Sequence, residues 1–131
     1  MSHDPVSVTT ELFARFGNGD VDGIVELLDD EVFIQFYGPP VIPYAGEYHG
    51  KTEARRFFET VLASVDIRQF EPEQFLADGR MVTVTGRLHL VAHSTGREIR
   101  SDFAHVITVE NGRWTRFRDF MDTAQAAAAF A

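Results

Sequence analysis

The sequence predicts an α+β fold, in which helices lie on one face of a curved antiparallel sheet. Two patterns predict it: apolar residues recur at helical spacing in the first half of the chain, and β-branched and aromatic residues form strand-like runs in the second half. With 131 residues, 44% of them hydrophobic, the chain has the length of one domain and enough apolar bulk for one core. We therefore expect a single domain over residues 1–131.

The N-terminal half carries the signals of three helices. Asp4-Pro5 is typical of a helix start, and apolar residues at helical spacing continue that helix to about Gly17. Asp20 can cap a second, shorter helix over 21–28. Over 52–62 the phenylalanines form an apolar stripe beside charged residues, which predicts the third helix.

Strand patterns fill most of the remaining chain. An aromatic and β-branched run predicts a first strand over 32–37, and the prolines at 39, 40 and 43 then force a loop. Four further strands are expected over 66–76, 80–92, 97–109 and 113–122. The alanine-rich tail, 124–131, is expected to be helical.

Composition excludes several classes of function. The absence of cysteine rules out disulfides, iron–sulfur clusters, thiolate zinc sites and a cysteine nucleophile. A formal charge of −8 argues against nucleic acid as a partner, because the net field repels phosphates. No apolar run is long enough for a membrane helix and the N-terminus lacks the pattern of a secretion signal, so no membrane partner and a cytoplasmic location are expected. The 12 phenylalanines suggest a ligand with apolar bulk.

Three segments carry a resemblance to a known superfamily: NGDVDGIVELLDDEV early in the chain, YAGEYHGKTEARRFF in the middle and ENGRWTRFRDFMDT at the end. With this order of elements the chain resembles the nuclear transport factor 2-like superfamily over nearly its whole length. Within it, YAGEYHG and FRDFMDT are most similar to SnoaL-like, ketosteroid-isomerase-like proteins, and FRDFMD is also similar to the closing strand of limonene epoxide hydrolases. The resemblance implies a cone-shaped sheet that encloses an apolar cavity and a homodimer formed through the outer sheet face. It also implies a mixed range of functions, which includes isomerases, cyclases, hydrolases, dehydratases and non-catalytic binding modules.

The last hairpin decides which side chains face the predicted cavity. If Asn111-Gly112 is a two-residue turn, His105 pairs with Arg118, and two arginines fall on an otherwise apolar face. Such burial of charge is costly.

A three-residue loop at 110–112 with a glycine bulge gives another register for the same hairpin. In it His105 pairs with Phe117, and Phe103 pairs with Asp119. We adopt this register because the outer face also gains favourable matches of opposite charge, Arg100 with Asp122 and Asp102 diagonal to Arg118.

The preceding hairpin is open in the same way. A three-residue turn at 94–96 would pair His89 with Ser101 and Arg87 with Phe103, so that Arg87 and His89 face the cavity. A two- or four-residue turn would point them outward and bring the apolar residues of their strand inward, namely Val82, Val84, Leu88 and Leu90. The family resemblance favours the first version. On the first strand Phe33 and Gln35 share a face, which we expect to be the cavity side.

The resemblance to characterised enzymes is partial. Arg87 and Asp119 match two members of the aspartate–arginine–aspartate set of limonene epoxide hydrolases. The other expected residues, an aspartate, an asparagine and a tyrosine, are replaced by His89, Gln35 and Phe33. The ketosteroid isomerase pattern matches less well, because its tyrosine, base and protonated aspartate are replaced by Leu12, Gln35 and His105. SnoaL-type cyclases, which use a cavity aspartate with a neighbouring histidine for metal-free proton transfer, remain compatible.

The candidate catalytic residues are Asp119, His105, Arg87 and His89. Asp119 on an apolar wall would be the general base, a histidine would return the proton, and Arg87 would hold an enolate or carboxylate oxygen. The expected ligand-binding residues are Phe33, Gln35, Tyr44, Tyr48, Ser101, Phe103 and Phe117, with the two tyrosines on a cavity lip formed by 39–50. No cofactor and no metal are expected, because His89 and His93 share a strand face without a third ligand at a diagnostic spacing.

These residues predict a small cofactor-free enzyme that performs acid–base chemistry, such as cyclisation, isomerisation, dehydration or hydrolysis, on an apolar small molecule. Two alternatives stand beside it: a non-catalytic module that binds a small molecule in the same cavity, and a dimeric association module. A purely structural pairing of Asp119 with Arg87 is also compatible with the sequence.

Overall fold

The computed structural model describes residues 4–131, so that residues 1–3 of the predicted domain lie outside the described residues. The helices are α1 Pro5–Gly17, α2 Val21–Glu26, α3 Gly50–Ser64 and α4 Thr123–Phe130. The strands are β1 Leu28–Phe36, β2 Gly46–His49, β3 Val65–Asp78, β4 Met81–Ala92, β5 Glu98–Glu110 and β6 Arg113–Met121. The predicted α+β class is confirmed, and the alanine-rich tail forms a helix.

Helix starts follow the capping residues of the sequence. The Asp4 carboxylate accepts a hydrogen bond from the Ser7 backbone N–H at 2.8 Å, and Asp20 does the same for Gly23 at 2.9 Å. Asp122 caps α4 by accepting from the Gln125 N–H at 3.1 Å. Among residues 4–131, none of the helices combines the length and the apolar composition needed to span a bilayer.

The six strands form one open sheet in the order β2-β1-β6-β5-β4-β3. Neighbouring strands are antiparallel except β1 and β6, which run parallel, so the predicted all-antiparallel sheet is wrong at this one junction. Chain neighbours joined by a tight turn must be antiparallel, whereas β1 and β6 meet from opposite ends of the chain without a turn between them. The four-residue strand β2 lies within the predicted loop over 39–50.

The β5–β6 hairpin combines features of both predicted registers. Asn111 and Gly112 have φ angles of 54° and 75°, as a two-residue type I′ turn requires, and Glu110 pairs with Arg113. The register then shifts by one residue at Thr115, which is an extra residue in β6. The predicted faces are therefore right for β5 and for β6 from Arg116 onward. They are wrong at the start of β6, where Trp114 faces inward, and the three-residue loop is also wrong.

The bulge changes the partners within the hairpin. His105 pairs with Asp119, not with Phe117, and Phe103 pairs with Met121. The outer-face matches change with it, since Arg118 pairs with Val106 and is therefore no longer diagonal to Asp102. The predicted pairing of Arg100 with Asp122 is likewise replaced, because the Arg100 guanidinium contacts Glu98 at 3.1 Å.

The β4–β5 hairpin is where the predicted site is wrong. Val91 pairs with Glu98, and the Ala92 N–H donates to the Arg97 carbonyl at 2.9 Å, which leaves a four-residue turn at 93–96. In this register Arg87 pairs with Asp102 and His89 with Arg100. This parity turns Arg87 and His89 away from the interior. The buried residues of β4 are instead Val82, Val84, Leu88 and Leu90, with 0% to 8% of their surface exposed.

The face of β1 is also reversed relative to the prediction. Ile34 pairs with Phe117 and Phe36 with Asp119, so these residues share the cavity side of the sheet. Phe33 and Gln35 therefore lie on the outer side, beside Arg116 and Arg118. The parallel junction with β6 fixes this parity, and no local pattern in the first strand encodes it.

Candidate active site

An apolar cavity of about 70 Å³ lies between α1, α3 and the inner face of the sheet. Nine of its lining side chains are aromatic: Tyr44, Trp114 and seven phenylalanines. Its ionisable lining residues are Tyr44, His105 and Asp119, and no lysine or arginine is among the lining residues. The cavity is therefore an aromatic chamber with a small polar cluster in its wall.

His105 and Asp119 form the centre of that cluster. The His105 Nε2 lies 3.2 Å from the Asp119 Oδ1, and their side chains are 7% and 15% exposed. The two residues are direct partners across β5 and β6, so the sheet itself fixes their separation. A carboxylate and an imidazole held this close can exchange a proton with each other or with a bound molecule.

Aromatic rings enclose the His105 imidazole. Its centroid lies 4.4 Å from that of Phe103, 4.9 Å from Phe117, 5.8 Å from Phe13 and 5.9 Å from Phe70. Its Nδ1 is buried and has no hydrogen-bond partner among the described residues. A buried ring nitrogen without a partner is costly unless a ligand or water completes it, which marks this wall as a polar contact point.

Tyr44 brings a third polar group to the same cavity. Its ring packs edge-on against Phe36 at 5.0 Å and Phe130 at 5.8 Å, and its hydroxyl is buried without a partner among residues 4–131. Burial raises the pKa of the Tyr44 phenol, and the negative charge of Asp119 raises it further. The hydroxyl is therefore held protonated, as a hydrogen-bond donor near Asp119.

Tyr48 supports this arrangement from behind. Its hydroxyl donates to the Tyr44 carbonyl at 3.0 Å, and its ring packs against Phe57 at 5.1 Å. Tyr48 is buried but is not a lining residue of the cavity. Of the two tyrosines predicted on the lip, only Tyr44 reaches the interior space.

Of the three other residues predicted on the inner face, one lines the cavity and two pack or hydrogen-bond elsewhere. Phe117 lines the cavity, whereas Phe103 lies behind its wall and stacks on Phe70 at 4.9 Å. The Ser101 hydroxyl donates to the Asp102 carbonyl at 2.6 Å and accepts from the Asp122 N–H at 3.0 Å. Ser101 therefore ties the beginning of β5 to the residue that follows β6, and it does not line the cavity.

Arg87 and His89 have partners on the outer side of the sheet. The Arg87 guanidinium lies 3.1 Å from Glu73 and 3.4 Å from Glu71, so it does not pair with Asp119. The His89 Nε2 lies 2.6 Å from Glu98, and this hydrogen bond, together with nearby Arg100, lowers the pKa of the Glu98 carboxyl. Neither residue lines the cavity, which removes both from the candidate site.

Phe33 and Gln35 likewise contact outer-face groups. The Phe33 ring stacks on His49 at 4.3 Å, and the Gln35 side-chain oxygen accepts from Arg116 at 2.7 Å. Across residues 4–131, no group of three or more histidine, aspartate or glutamate side chains is placed to hold a metal ion. His93 contacts the Ala63 carbonyl through its Nδ1 at 2.7 Å.

Several lining residues were missed at the level of sequence, among them Phe36, Leu88, Trp114 and Met121. Trp114 and Phe117 both face inward although they are three residues apart, because the bulge at Thr115 restores the parity between them. The apolar character of both residues was the available signal. An uninterrupted strand would have turned one of them outward.

The open sheet and helices around an apolar cavity define the class of the protein, which has the nuclear transport factor 2-like fold. A family model for the SnoaL-like domain matches residues 9–117, and the chain belongs to this family. Among curated proteins, none matches the chain.

Solved structures from two Burkholderia species resemble the chain over almost its full length. A nuclear transport factor 2-like protein from Burkholderia xenovorans is 28% identical with a TM-score of 0.88, and the match covers 96% of this chain and 95% of the other. A protein of unknown function from Burkholderia pseudomallei is also 28% identical, with a TM-score of 0.84 and 96% of each chain covered. The structure of TerC co-crystallised with polyporic acid is 21% identical, with a TM-score of 0.82 and coverage of 95% and 96%.

Proposed function

We propose that the protein is a cofactor-free enzyme that performs general acid–base chemistry on a small, largely apolar molecule bound in the cavity. The observation that carries the proposal is the His105–Asp119 pair, 3.2 Å apart and open to a chamber lined by aromatic rings. Water is scarce in such a chamber, so a proton taken by the carboxylate is exchanged with the bound molecule and not with bulk solvent.

Each polar group of the cavity has a distinct part in this proposal. Asp119 takes a proton from a carbon next to a carbonyl, and the electron pair of the C–H bond moves to the carbonyl oxygen. The Tyr44 hydroxyl donates a hydrogen bond to that oxygen while it carries negative charge. The proton then returns to another atom of the same molecule, either directly from Asp119 or from His105 after Asp119 has passed a proton to it, so that no oxidant or cofactor is consumed.

The volume of the cavity supports a small substrate. About 70 Å³ is well below the several hundred Å³ that drug-sized ligands occupy. A molecule larger than a few non-hydrogen atoms would have to displace rings of the wall. TerC, which shares the fold, was co-crystallised with polyporic acid, and this supports ligand binding within the same architecture.

A non-catalytic binding module is the second candidate function. The unpartnered Tyr44 hydroxyl and His105 Nδ1 favour it as much as they favour catalysis, because both can hold a ligand without reacting with it. The two candidates differ in one respect, since only the enzyme moves a proton between Asp119 and carbon.

We further propose a homodimer that forms through the outer sheet face. Tyr37 and Phe120 are 42% and 37% exposed there, and their rings stack at 5.0 Å, which leaves an apolar patch in contact with water. Sedimentation of the purified protein should give the mass of two chains. A Phe120→Lys variant that stays at the same mass as the unchanged protein would argue against this face.

The proposed reaction is tested by hydrogen–deuterium exchange at carbon. Small enolisable ketones, such as butanone and cyclopentanone, are incubated with the protein in heavy water, and loss of the α-proton signal is followed by NMR. We expect exchange catalysed by the unchanged protein to fall by about 100-fold or more in Asp119→Asn, since this is the usual contribution of a general base.

The matched control is Asp102→Asn, which changes an exposed aspartate on the outer face of β5. It should exchange the ketones at the unchanged rate. Equal rates in Asp119→Asn and the unchanged protein would refute the role of Asp119. Ligand-dependent thermal stabilisation without exchange by any ketone of the panel would instead support the binding module.

A further inference from the structure

The charges of the cavity wall point to the charge of the ligand. We propose that the cavity selects a small organic cation, of the alkylammonium class, over neutral or anionic molecules of the same shape. The inference rests on the proposed function in that it takes the cavity around Asp119 as the ligand site. It adds the sign of the ligand's charge, which the acid–base chemistry leaves open.

The first argument is the balance of charge around the cavity. Asp119 is the acidic lining residue, and no lysine or arginine lies among the lining residues to compensate it. Within residues 4–131, the basic nitrogen that lies within ion-pair distance of the Asp119 carboxylate is His105 Nε2. A positive ligand would balance the carboxylate when the imidazole is neutral, whereas an anion would add a second negative charge to a dry space.

Neighbouring arginines do not reverse this balance. Arg118 precedes Asp119 in β6 and therefore points to the other side of the sheet, where its guanidinium lies 6.0 Å from the Phe120 ring centroid. Arg116 lies on the same outer side, over Phe33. Both cations are thus separated from the cavity by the sheet, and neither can contact a ligand that sits within it.

The second argument is the aromatic lining. The faces of aromatic rings carry partial negative charge, so rings that surround an ammonium group attract it without a hydrogen bond. Four lining rings form a chain of contacts in the order Phe70, Phe13, Trp114 and Phe117, with successive centroids 5.2, 6.1 and 4.8 Å apart. Such an enclosure also excludes water from the methyl groups of an alkylammonium ion, so the site suits both its charge and its apolar surface.

The third argument is size together with long-range charge. A volume of about 70 Å³ admits a compact branched ion and excludes most larger metabolites while the rings keep their positions. The chain as a whole carries a formal charge of −8, which concentrates cations and not anions near its surface. The size, the lining and the net charge therefore favour the same class of ligand.

The test compares three branched molecules of similar size and different charge: trimethylammonium, the neutral tert-butanol and the anion isobutyrate. Each is titrated into the unchanged protein at constant ionic strength near neutral pH, and binding is followed through the NMR signals of the aromatic side chains. We expect the Kd of trimethylammonium to be at least about tenfold lower than that of tert-butanol, as cation–π attraction in a desolvated site provides. Isobutyrate should bind more weakly than both.

Variants assign the selectivity to the cavity. Asp119→Asn should reduce the preference for trimethylammonium over tert-butanol to within about threefold, and Asp102→Asn should leave it unchanged. Circular dichroism confirms that each variant is folded. If Asp119→Asn does not fold, the order of the three ligands on the unchanged protein still decides the proposal.

The outcomes separate this inference from the proposed function. Equal or stronger binding of tert-butanol or isobutyrate overturns the inference, and Asp119-dependent exchange of neutral ketones would then leave the acid–base enzyme intact. Selective binding of trimethylammonium without exchange would support the inference and favour the binding module. Failure of all three ligands to bind overturns the inference whatever the result of the exchange experiment.

Discussion

The Trp114 indole N–H donates a hydrogen bond to the Thr9 hydroxyl at 3.1 Å, which joins the last strand to the first helix through the core. Both side chains are fully buried, with 0% of their surface exposed. This bond positions α1 over the sheet, and α1 in turn supplies Leu12, Phe13 and Phe16 to the cavity wall.

Removal of the Thr9 hydroxyl should therefore destabilise the fold. Thr9→Val keeps the shape of the side chain and leaves the buried indole N–H without an acceptor, which costs about 1–3 kcal/mol. Urea denaturation measures the loss. Thr10→Val makes the same change at an exposed position of the same helix and is expected to alter stability by less than about 0.5 kcal/mol. Equal losses in both variants would contradict the role of this bond.

Gly86 in β4 is predicted to tolerate no side chain. A Cβ at this position would lie 2.0 Å from the Glu71 carbonyl oxygen and 2.9 Å from Cζ of Phe103. Gly86→Ala should cost about 2 kcal/mol or more, because β3 and the Phe103 ring must both move. Gly17→Ala is the control, since a Cβ there meets nothing within 4 Å, and its denaturation midpoint should stay the same or rise. A stable Gly86→Ala protein would mean that β3 and β4 separate more easily than the structure indicates.

Trp114 is the only tryptophan of the chain and lines the cavity, so its fluorescence reports on access to the interior. Phe13 stands between the cavity and a surface groove formed by α1 and β3, since it lines both. In Phe13→Leu we expect acrylamide to quench Trp114 severalfold more strongly than in the unchanged protein, because the smaller side chain opens a passage. Phe33→Leu on the outer face should leave the quenching unchanged, and an increase there would point to general loosening of the fold.

Alkaline pH should destabilise the protein through its buried tyrosines. Burial raises the pKa of Tyr44, and burial also raises the pKa of Tyr48 against the opposing effect of Arg56, both from an ordinary value of 10.0. Above that value the unfolded chain loses protons that the folded chain retains, so stability is complete below pH 10 and falls as the pH rises. Denaturation midpoints between pH 9 and pH 11.5 measure the decline. Tyr44→Phe should show a smaller decline, and an identical slope would exclude Tyr44 as its source.

Strand parity separates what could be predicted about the site from what could not. His105, Asp119 and Phe117 were placed on one face from the alternation of the last two strands, and they share the inner face in the structure. Their predicted pairing partners are wrong. A two-residue turn followed by a bulge at Thr115 keeps these residues on the inner face, as the predicted three-residue loop does, but it pairs them with different residues. The bulge has no reliable signature in the local sequence. Its effect is on packing, because it allows Trp114 and Phe117 both to be buried in the core.

Arg87 and His89 illustrate the limit of such reasoning. The four-residue connection at 93–96 shifts the parity of β4 by one relative to a three-residue turn, and this shift exchanges every inner residue for an outer one. The apolar series of Val82, Val84, Leu88 and Leu90 indicates the face of β4 that is buried in the structure. The family resemblance favours the opposite face, because it implies that charged residues converge in the cavity.

The sequence by itself determined the α+β class, the positions of most helices and strands, the helix caps and the acidic, cysteine-free character of the chain. These features depend on periodicity and on local hydrogen bonds, which neighbouring residues encode. Only the tertiary structure decided the parallel contact of β1 with β6, the inward position of Tyr44 and the 3.2 Å separation of His105 and Asp119. Those relationships join segments that are distant in the chain, and they are set by how all the strands pack around one shared core.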